Sequence, residues 1–110
     1  MRIINLTPHT ITFAPTDSSM IIPSSGVARV ATAPGVDLGG GLWSAPTWGD
    51  VEGLPAPQPD TIYVVSALVA GRCIGRPDVF SPGTGPNDGT IRDEAGRIKA
   101  VTRLIQAPQK

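Results

Sequence analysis

The sequence predicts a mainly β protein: a small barrel or sandwich, or a mixed sheet, with one short helix. Two observations lead to this fold class. The 13 glycines and 12 prolines divide the 110 residues into short segments, and most of these segments are rich in β-branched residues, which are typical of strands. A chain of this length supports one hydrophobic core, so a single domain over residues 1–110 is expected.

The longest apolar stretch, Thr61–Arg72 (TIYVVSALVAGR), organises the prediction. Residues 61–65 show no period-2 alternation, which indicates a strand covered on both faces. Ser66 is a suitable helix N-cap, and residues 67–70 can form one or two helical turns that Gly71 or Gly75 ends. Two interpretations of this junction remain open: an ordinary turn after a core strand, or an anion site at exposed backbone N–H groups.

The N-terminal third of the chain reads as short strands separated by turns. Residues 2–6 and 10–13 flank Thr7-Pro8-His9 and are predicted to pair as a hairpin, because proline suits the second position of a turn. Further strands are expected over residues 20–22 and 27–32.

The glycine-rich middle, residues 33–41, is expected to be a flexible surface excursion. Trp43 and Trp48 follow it, in a chain with five aromatic residues. They either plug the open side of a small barrel or sandwich, or form a stacking platform for a base. The proline-rich residues 55–59 predict a stiff, extended connector to the central strand.

The C-terminal third contains two further predicted features. Residues 76–80 return to extended structure and lead into a turn-rich loop, residues 81–89. Residues 90–92 and 97–105 are then predicted to pair as a hairpin, with Gly96 at positive φ in its turn. Seven or eight short strands are expected in total.

Composition excludes several classes of function. Nine basic and nine acidic residues cancel, and charged residues are only 16% of the chain. Nucleic acid is not an expected partner, because phosphate contacts need clustered Lys and Arg. The neutral surface predicts a homo-oligomer with partly buried faces. One cysteine permits no internal disulfide, and no signal peptide or membrane-length apolar run is visible, so the cytoplasm of a cell, or a particle assembled there, is the expected location and no membrane partner is expected.

The residues that could carry chemistry are few. One histidine, His9, and one cysteine, Cys73, cannot build a His/Cys metal site. No G-x-S-x-G elbow supports a nucleophilic serine. The sequence therefore predicts neither an enzyme nor a metal or cofactor. His9 is either a turn residue bonded to backbone or a ligand contact.

The loop SPGTGPNDG has the composition of a phosphate cradle. Gly83 and Gly85 allow backbone N–H groups to approach a ligand, and Ser81 and Thr84 add hydroxyls. The loop lacks the lysine and the following helix of a P-loop. The alternative is a plain surface loop. Because this stretch does not read as core, Gly83 is expected to tolerate substitution.

Three arginines flank this loop and strengthen the ligand interpretation. Arg72 and Arg76 precede it and Arg92 follows it, and guanidinium groups suit bidentate recognition of phosphate or carboxylate. The alternative is that these arginines pair with the neighbouring Asp78, Asp88 and Asp93.

Three segments resemble a family of small uncharacterised phage and prophage proteins. These are INLTPHTITF at residues 4–13, GLPAPQPDTIYVVSALVA at residues 53–70 and RPDVFSPGTGPNDGTIRDEAGRI at residues 76–98. The glycine-rich middle lies outside the resemblance. Some phage proteins of this size are oligomeric sponges that sequester nucleotide immune signals without cleaving them, and this analogy concerns genome context and size rather than shared motifs.

The resemblance and the residues together predict a non-enzymatic phage accessory protein with an anti-defence role. It would sequester a small nucleotide-like ligand as a homo-oligomer. The alternative is a phage structural or protein-interaction module. The predicted ligand contacts, each named above, are His9, Trp43, Trp48, Arg76, Ser81, Gly83, Thr84, Gly85 and Arg92.

Overall fold

A computed structural model describes residues 1–16 and 18–109. The fold is mainly β, with one short helix and several sheets that do not close into a barrel within the described residues. The predicted fold class is confirmed in its mixed-sheet form. The strands are β1 (Arg2–Asn5), β2 (Ile11–Phe13), β3 (Met20–Ile22), β4 (Arg29–Ala33), β5 (Asp37–Gly39), β6 (Leu42–Trp43), β7 (Thr47–Glu52), β8 (Thr61–Val64), β9 (Val79–Pro82), β10 (Ile91–Arg92), β11 (Ile98–Ala100) and β12 (Leu104–Gln106).

The central sheet has the strand order β1-β8-β9-β12. β1, β8 and β9 are parallel neighbours, and β12 runs antiparallel to β9. The predicted hairpin of residues 2–6 with 10–13 is therefore wrong. β1 pairs with β8 instead, and β2 forms its own hairpin with β3. A hydrophobic strand is most stable beside the partner that buries most of its apolar surface, and β8 buries β1 better than a neighbouring short strand could.

The central strand β8 is covered on both faces, as predicted. Tyr63 and Val65 belong to one core cluster, which also contains Leu6, Val69 and Val79. Val64 points to the opposite face and packs with Ile11 and Val101. Tyr63, Val64 and Val65 are all completely buried. Burial on both faces explains why residues 61–65 show no alternation of apolar and polar side chains.

Helix α1 (Ala67–Ala70) follows β8, as predicted, and Ser66 caps it. The Val69 N–H donates to the Ser66 hydroxyl oxygen over 3.3 Å. Of the two glycines expected to end the helix, Gly71 does so and stays in the right-handed region at φ −62°. Gly75 lies beyond the helix end and adopts the positive φ of 89° that favours glycine.

Residues 29–52 form one long antiparallel hairpin, hereafter the arm. β4 and β7 pair at its base, and β5 and β6 pair at its tip across Gly40 and Gly41. Between them, the Ser44 N–H donates to the Val36 carbonyl over 2.9 Å. Residues 33–41 lie at the surface, as expected, and within the described chain they belong to this paired ribbon.

The C-terminal hairpin is shorter than predicted. β10 pairs only with β11, and Gly96 takes the predicted positive φ of 81° in the turn. Residues 104–106 leave this hairpin and become β12 at the edge of the central sheet. The connector of residues 55–59 contains no strand or helix, as its prolines require.

Candidate functional site

The carboxyl ends of three parallel strands meet at one edge of the central sheet. β1 is followed by Thr7-Pro8-His9, β8 by Ser66, and β9 by Gly83-Thr84. In open sheets of parallel strands, ligands bind in the crevice outside these ends, where the following loops separate. A groove of about 570 Å³ lies there, which is within the range of about 300–1,000 Å³ typical of small-ligand sites.

The lining of this groove combines donors with apolar walls. Lys99 supplies a cation, His9 an imidazole, and Thr84 and Ser66 are among the hydroxyl groups. The apolar wall includes Ile11, Pro82 and Val101. None of the lining residues that the structure describes is acidic. One cation without a competing carboxylate, beside an apolar wall, suits an anion attached to a less polar group.

Asn5 positions the Thr7-Pro8-His9 side of the groove. Its side chain is completely buried, and its amide donates to the carbonyls of His9 over 2.7 Å and Ile22 over 2.9 Å. Its side-chain oxygen accepts from the Thr7 N–H over 2.9 Å and from the Thr7 hydroxyl over 2.6 Å. A single buried side chain therefore fixes the loop after β1.

Sequence reasoning missed Asn5, although a signal was present. Asn at the end of an apolar strand, two residues before the Thr of Thr7-Pro8, is typical of an Asx turn, in which the side chain accepts from the backbone N–H two residues later. The Asn5–Thr7 hydrogen bond has this form. Burial of the amide was not visible in the sequence.

Ser66 lines the groove but is already engaged. Its hydroxyl oxygen accepts the Val69 N–H as the cap of α1. The helix has only four residues, so its dipole is small and its first turn offers little attraction for an anion. Of the two interpretations of this junction, the structure fits the core strand with an ordinary capped turn.

The glycine loop is occupied by the protein's own groups. The Gly85 N–H donates to the Asp88 carboxylate over 2.8 Å, and the Gly83 N–H donates to the Arg103 carbonyl over 2.9 Å. A carboxylate of the chain thus lies where the anion of a ligand was expected. Thr84 is exposed and lines the groove from this loop.

The expectation that Gly83 lies outside the core is wrong. Gly83 is buried, and a Cβ at this position would lie 3.1 Å from the Arg103 carbonyl oxygen. The pairing of β9 with β12 brings Arg103 against this backbone. A distant strand rather than a ligand therefore explains why a glycine stands at this position.

Arg76 is held by the protein. Its Nε and a terminal nitrogen donate to the two oxygens of Asp78, each over 2.9 Å, and the guanidinium also donates to the Pro55 carbonyl. The hydrogen bonds from Arg76 hold the pKa of the Asp78 carboxyl below its usual value, and the same bonds raise the pKa of Arg76. The alternative of pairing with Asp78 is what the structure contains.

Arg92 and Ser81 are placed apart from the groove lining. Arg92 is exposed and donates to the Gly96 carbonyl over 2.9 Å, with a longer contact of 3.5 Å to the Thr84 carbonyl. Ser81 is buried within β9. Neither side chain lines the groove in the described structure.

The two tryptophans do not cover the open side of a barrel or sandwich. Trp43 is 61% exposed and Trp48 is 41% exposed. Trp48 lines a second depression, of about 400 Å³, between the arm base and α1. The Arg72 guanidinium lies over its ring at 5.4 Å, within the range of a cation–π contact. Trp43 lies at the arm tip and lines neither depression.

Of the predicted contact residues, the structure brings His9 and Thr84 into one groove. Lys99, which sequence reasoning did not single out, completes the set. The sequence pattern indicates Lys99 only weakly, because a lone lysine in a hairpin is most often a solvated surface charge. Strand β11 lies beside the groove because the next residue, Val101, is hydrogen-bonded to β2: the Val101 N–H donates to the Thr12 carbonyl over 2.9 Å.

The groups that could act as nucleophiles are not activated. Burial raises the pKa of the Cys73 thiol, and its sulfur donates to the Val69 carbonyl, so the reactive thiolate is disfavoured. Among the hydrogen bonds of the described residues, none involves the His9 ring. The same residues contain no cluster of three or more His, Cys, Asp or Glu that could hold a metal ion.

No helix in residues 1–16 and 18–109 is long and apolar enough to cross a membrane. Comparison of the chain with protein-family models, with curated proteins and with solved structures finds no match.

Proposed function

We propose that this protein binds a small nucleotide-like ligand in the groove at the carboxyl ends of β1, β8 and β9 and releases it unchanged. The observation that carries the proposal is the groove lining, which has Lys99 and several donors but no acidic residue among its described members. An anionic group bound there would meet a cation, while its less polar part would contact the apolar wall.

The contacts in this proposal differ from those expected from sequence. Lys99 and the Thr84 hydroxyl take the role first given to Arg76 and Arg92, because Arg76 is engaged by Asp78. The backbone N–H groups of Gly83 and Gly85 are likewise engaged within the chain. His9 keeps its proposed role, as the residue lines the groove and its ring has no partner among the described hydrogen bonds.

Binding is favoured over catalysis by the state of the reactive groups. A general base needs a partner that orients it, and His9 has no carboxylate or hydroxyl bonded to its ring in the described chain. The Cys73 thiol is buried. A ligand held in this groove would be sequestered rather than converted.

The biological role that accompanies this binding is a phage accessory function in the host cytoplasm. The protein would act as a homo-oligomeric sponge that removes a nucleotide immune signal of the host. The resemblance of three segments to small phage and prophage proteins supports a phage origin, and the sponge role follows by analogy of size and genome context.

Calorimetric titration against cyclic and ADP-ribose-type nucleotides tests the binding. Lys99→Ala should weaken binding of the nucleotide that binds, by about ten- to a hundredfold, since a charge-assisted hydrogen bond contributes roughly 1.5–3 kcal/mol. Arg97→Ala is the matched control: it removes an exposed cation from the same hairpin, two residues away and outside the groove lining.

Two results would contradict the proposal. The first is that the unaltered protein binds none of these nucleotides. The second is that Lys99→Ala and Arg97→Ala bind the ligand equally well, which would place the ligand elsewhere. The second depression, beside Trp48 and Arg72, would then be the next position to test.

A second candidate function is a protein-interaction module, such as a virion accessory protein or an inhibitor of a host protein. The observation that favours it is the arm tip, where Leu42 and Trp43 are largely exposed. Large exposed apolar groups in a cluster mark interaction surfaces. Co-purification of a host protein or capsid component at stoichiometric amounts, and of no nucleotide, would favour this candidate.

A further inference from the structure

The groove and the second depression share a wall. Thr7, Pro8 and Ser66 line both of them. Thr7 and Pro8 belong to the loop after β1, and Ser66 lies between β8 and α1. Only the width of this shared wall therefore separates a ligand in the groove from the second depression.

Hydrogen bonds fix the shared wall. The N–H and the hydroxyl of Thr7 donate to the side-chain oxygen of Asn5 over 2.9 Å and 2.6 Å, and the Thr7 carbonyl accepts from the Ser24 hydroxyl over 2.6 Å. The spacing of the two depressions is thus set by the folded chain. A ligand long enough to reach both does not have to order this loop on binding, which favours its affinity.

The floor of the second depression is part of the core. Leu6, Ala28 and Val69 line it, and all three are buried members of the larger core cluster. Two large apolar side chains that line the same depression stay exposed, Trp48 at 41% and Leu68 at 51%. A flat ring placed in this depression would remove apolar surface from water.

The side chains around the second depression supply positive charge. Arg29 lines it, and the Arg72 guanidinium lies 5.4 Å from the centre of the Trp48 ring. No described lining residue is acidic. Glu52 lies opposite Arg29 in the pairing of β4 with β7, but the described chain contains no ion pair between them. Indole and guanidinium groups are surfaces on which nucleic-acid bases stack, so this depression suits a base attached to an anionic group.

We propose that the ligand is a two-ring nucleotide, in which phosphate joins two ring-bearing halves, and that it spans both depressions. Its phosphate and one ring occupy the groove with Lys99, and its second ring lies in the second depression against Trp48. The volumes of about 570 Å³ and about 400 Å³ are each within the range of about 300–1,000 Å³ for small-ligand sites. This inference rests on the proposed function, because it requires a nucleotide in the groove.

Two pairs of ligands isolate the second ring in calorimetric titration. Diadenosine diphosphate is ADP-ribose with a second adenine on its terminal ribose, and the two have the same charge. Cyclic di-AMP likewise carries a second adenylate that cyclic AMP lacks. The two-ring member of the pair that binds should have the higher affinity, by roughly five- to a hundredfold, as expected for one base stacked on an aromatic side chain.

Variants of Trp48 test where the second ring lies. Trp48→Ala should weaken binding of the two-ring member by roughly five- to a hundredfold and leave the affinity for the one-ring member unchanged. Trp48→Phe keeps a ring for stacking and should retain most of the affinity. Trp43→Ala is the matched control, because it removes the other exposed tryptophan of the arm, which lines neither depression, and it should change neither affinity.

A fluorescence measurement keeps Trp48 in place and so does not depend on the folding of its variants. Trp43→Phe leaves Trp48 as the single tryptophan of the chain. Saturation with the two-ring member should quench the Trp48 emission, because the stacked base contacts the indole. Saturation with the one-ring member should leave the emission unchanged.

The outcomes separate this inference from the proposed function. Binding of no member of either pair would overturn both. Three results would each overturn this inference alone, because the groove would still hold a nucleotide: equal affinities within a pair, equal weakening of both members by Trp48→Ala, or a Trp48 emission that a bound two-ring member does not change.

Discussion

The central sheet and the arm use similar residues in opposite ways. Strand β8 is Thr-Ile-Tyr-Val, and the arm tip offers Leu42 and Trp43 beside a valine and a further leucine. Tyr63 and Val64 are completely buried, whereas Leu42 and Trp43 are more than 60% exposed. Hydrophobicity is comparable in the two regions, so it does not explain the difference.

The difference comes from the number of neighbours that each strand acquires. β8 has a strand on each edge and a core cluster on each face. β5 and β6 have only each other within the described chain. An apolar side chain on a two-stranded ribbon has no second layer to enter. The comparison teaches that topology, and not composition, decides which apolar segments of this chain become core.

The largest expected effect contrasts one aromatic residue from each region. Tyr63→Ala should lower the free energy of unfolding by about 3–5 kcal/mol, because it empties a fully buried site. Trp43→Ala should change the stability of the monomer by less than about 0.5 kcal/mol, since its side chain is mostly exposed. Urea unfolding at high dilution measures both. A comparable loss for the two variants would break the contrast between core and arm.

A smaller effect contrasts side-chain hydrogen bonds in the two regions. Asn5 forms four such bonds in a buried site at the end of β1, and Asn5→Ala should cost about 3 kcal/mol, since buried groups lose their partners. Ser44 accepts one bond, from the Val36 N–H, at the exposed neck of the arm. Ser44→Ala should cost under about 1 kcal/mol, because water replaces the hydroxyl.

Urea unfolding measures the stability of these two variants. The position of His9 in the groove should change with Asn5→Ala and not with Ser44→Ala, because the Asn5 amide donates to the His9 carbonyl. The chemical shifts of the His9 ring report this directly. Unchanged His9 shifts in a folded Asn5→Ala protein would remove Asn5 from its positioning role.

The ion pair beside β9 should give a smaller effect than Tyr63→Ala or Asn5→Ala. The Asp78 side chain is 12% exposed and that of Arg76 27%, and hydrogen bonds from Arg76 lower the pKa of Asp78. A carboxyl with a lowered folded-state pKa adds stability above its unfolded pKa of about 3.9, and this contribution is lost as pH falls through the folded value. Asp78→Asn should therefore cost about 1 kcal/mol at neutral pH.

The pH dependence of stability shows whether the contribution of Asp78 depends on its charge. The stability difference between the unaltered protein and Asp78→Asn should stay constant from neutral pH down to about pH 5 and narrow below about pH 4. Urea unfolding at neutral and at strongly acidic pH measures it. A difference of the same size at both pH values would mean that the charge of Asp78 contributes nothing.

Local features were predictable from the sequence because they depend on a few adjacent residues. The Ser66 cap, the short helix after it, the positive φ of Gly96 and the extended proline connector all follow from backbone preferences. The two-sided burial of residues 61–65 followed from the absence of alternation, since a run without a polar face needs cover on both sides. The mainly β class followed from the spacing of turn formers.

Pairing between distant segments was decided only by the tertiary structure. β1 pairs in parallel with β8, some sixty residues away, and not with the adjacent β2. The reason is that β8 buries more apolar surface of β1 than a short hairpin can. The parallel pairing of β1, β8 and β9 brought the loops carrying His9 and Thr84 to one groove. The contact of Val101 with Thr12 placed Lys99 beside them, and the pairing of β9 with β12 brought Arg103 against Gly83. A local pattern specifies what a segment can form, but the burial available across the whole chain selects its partner.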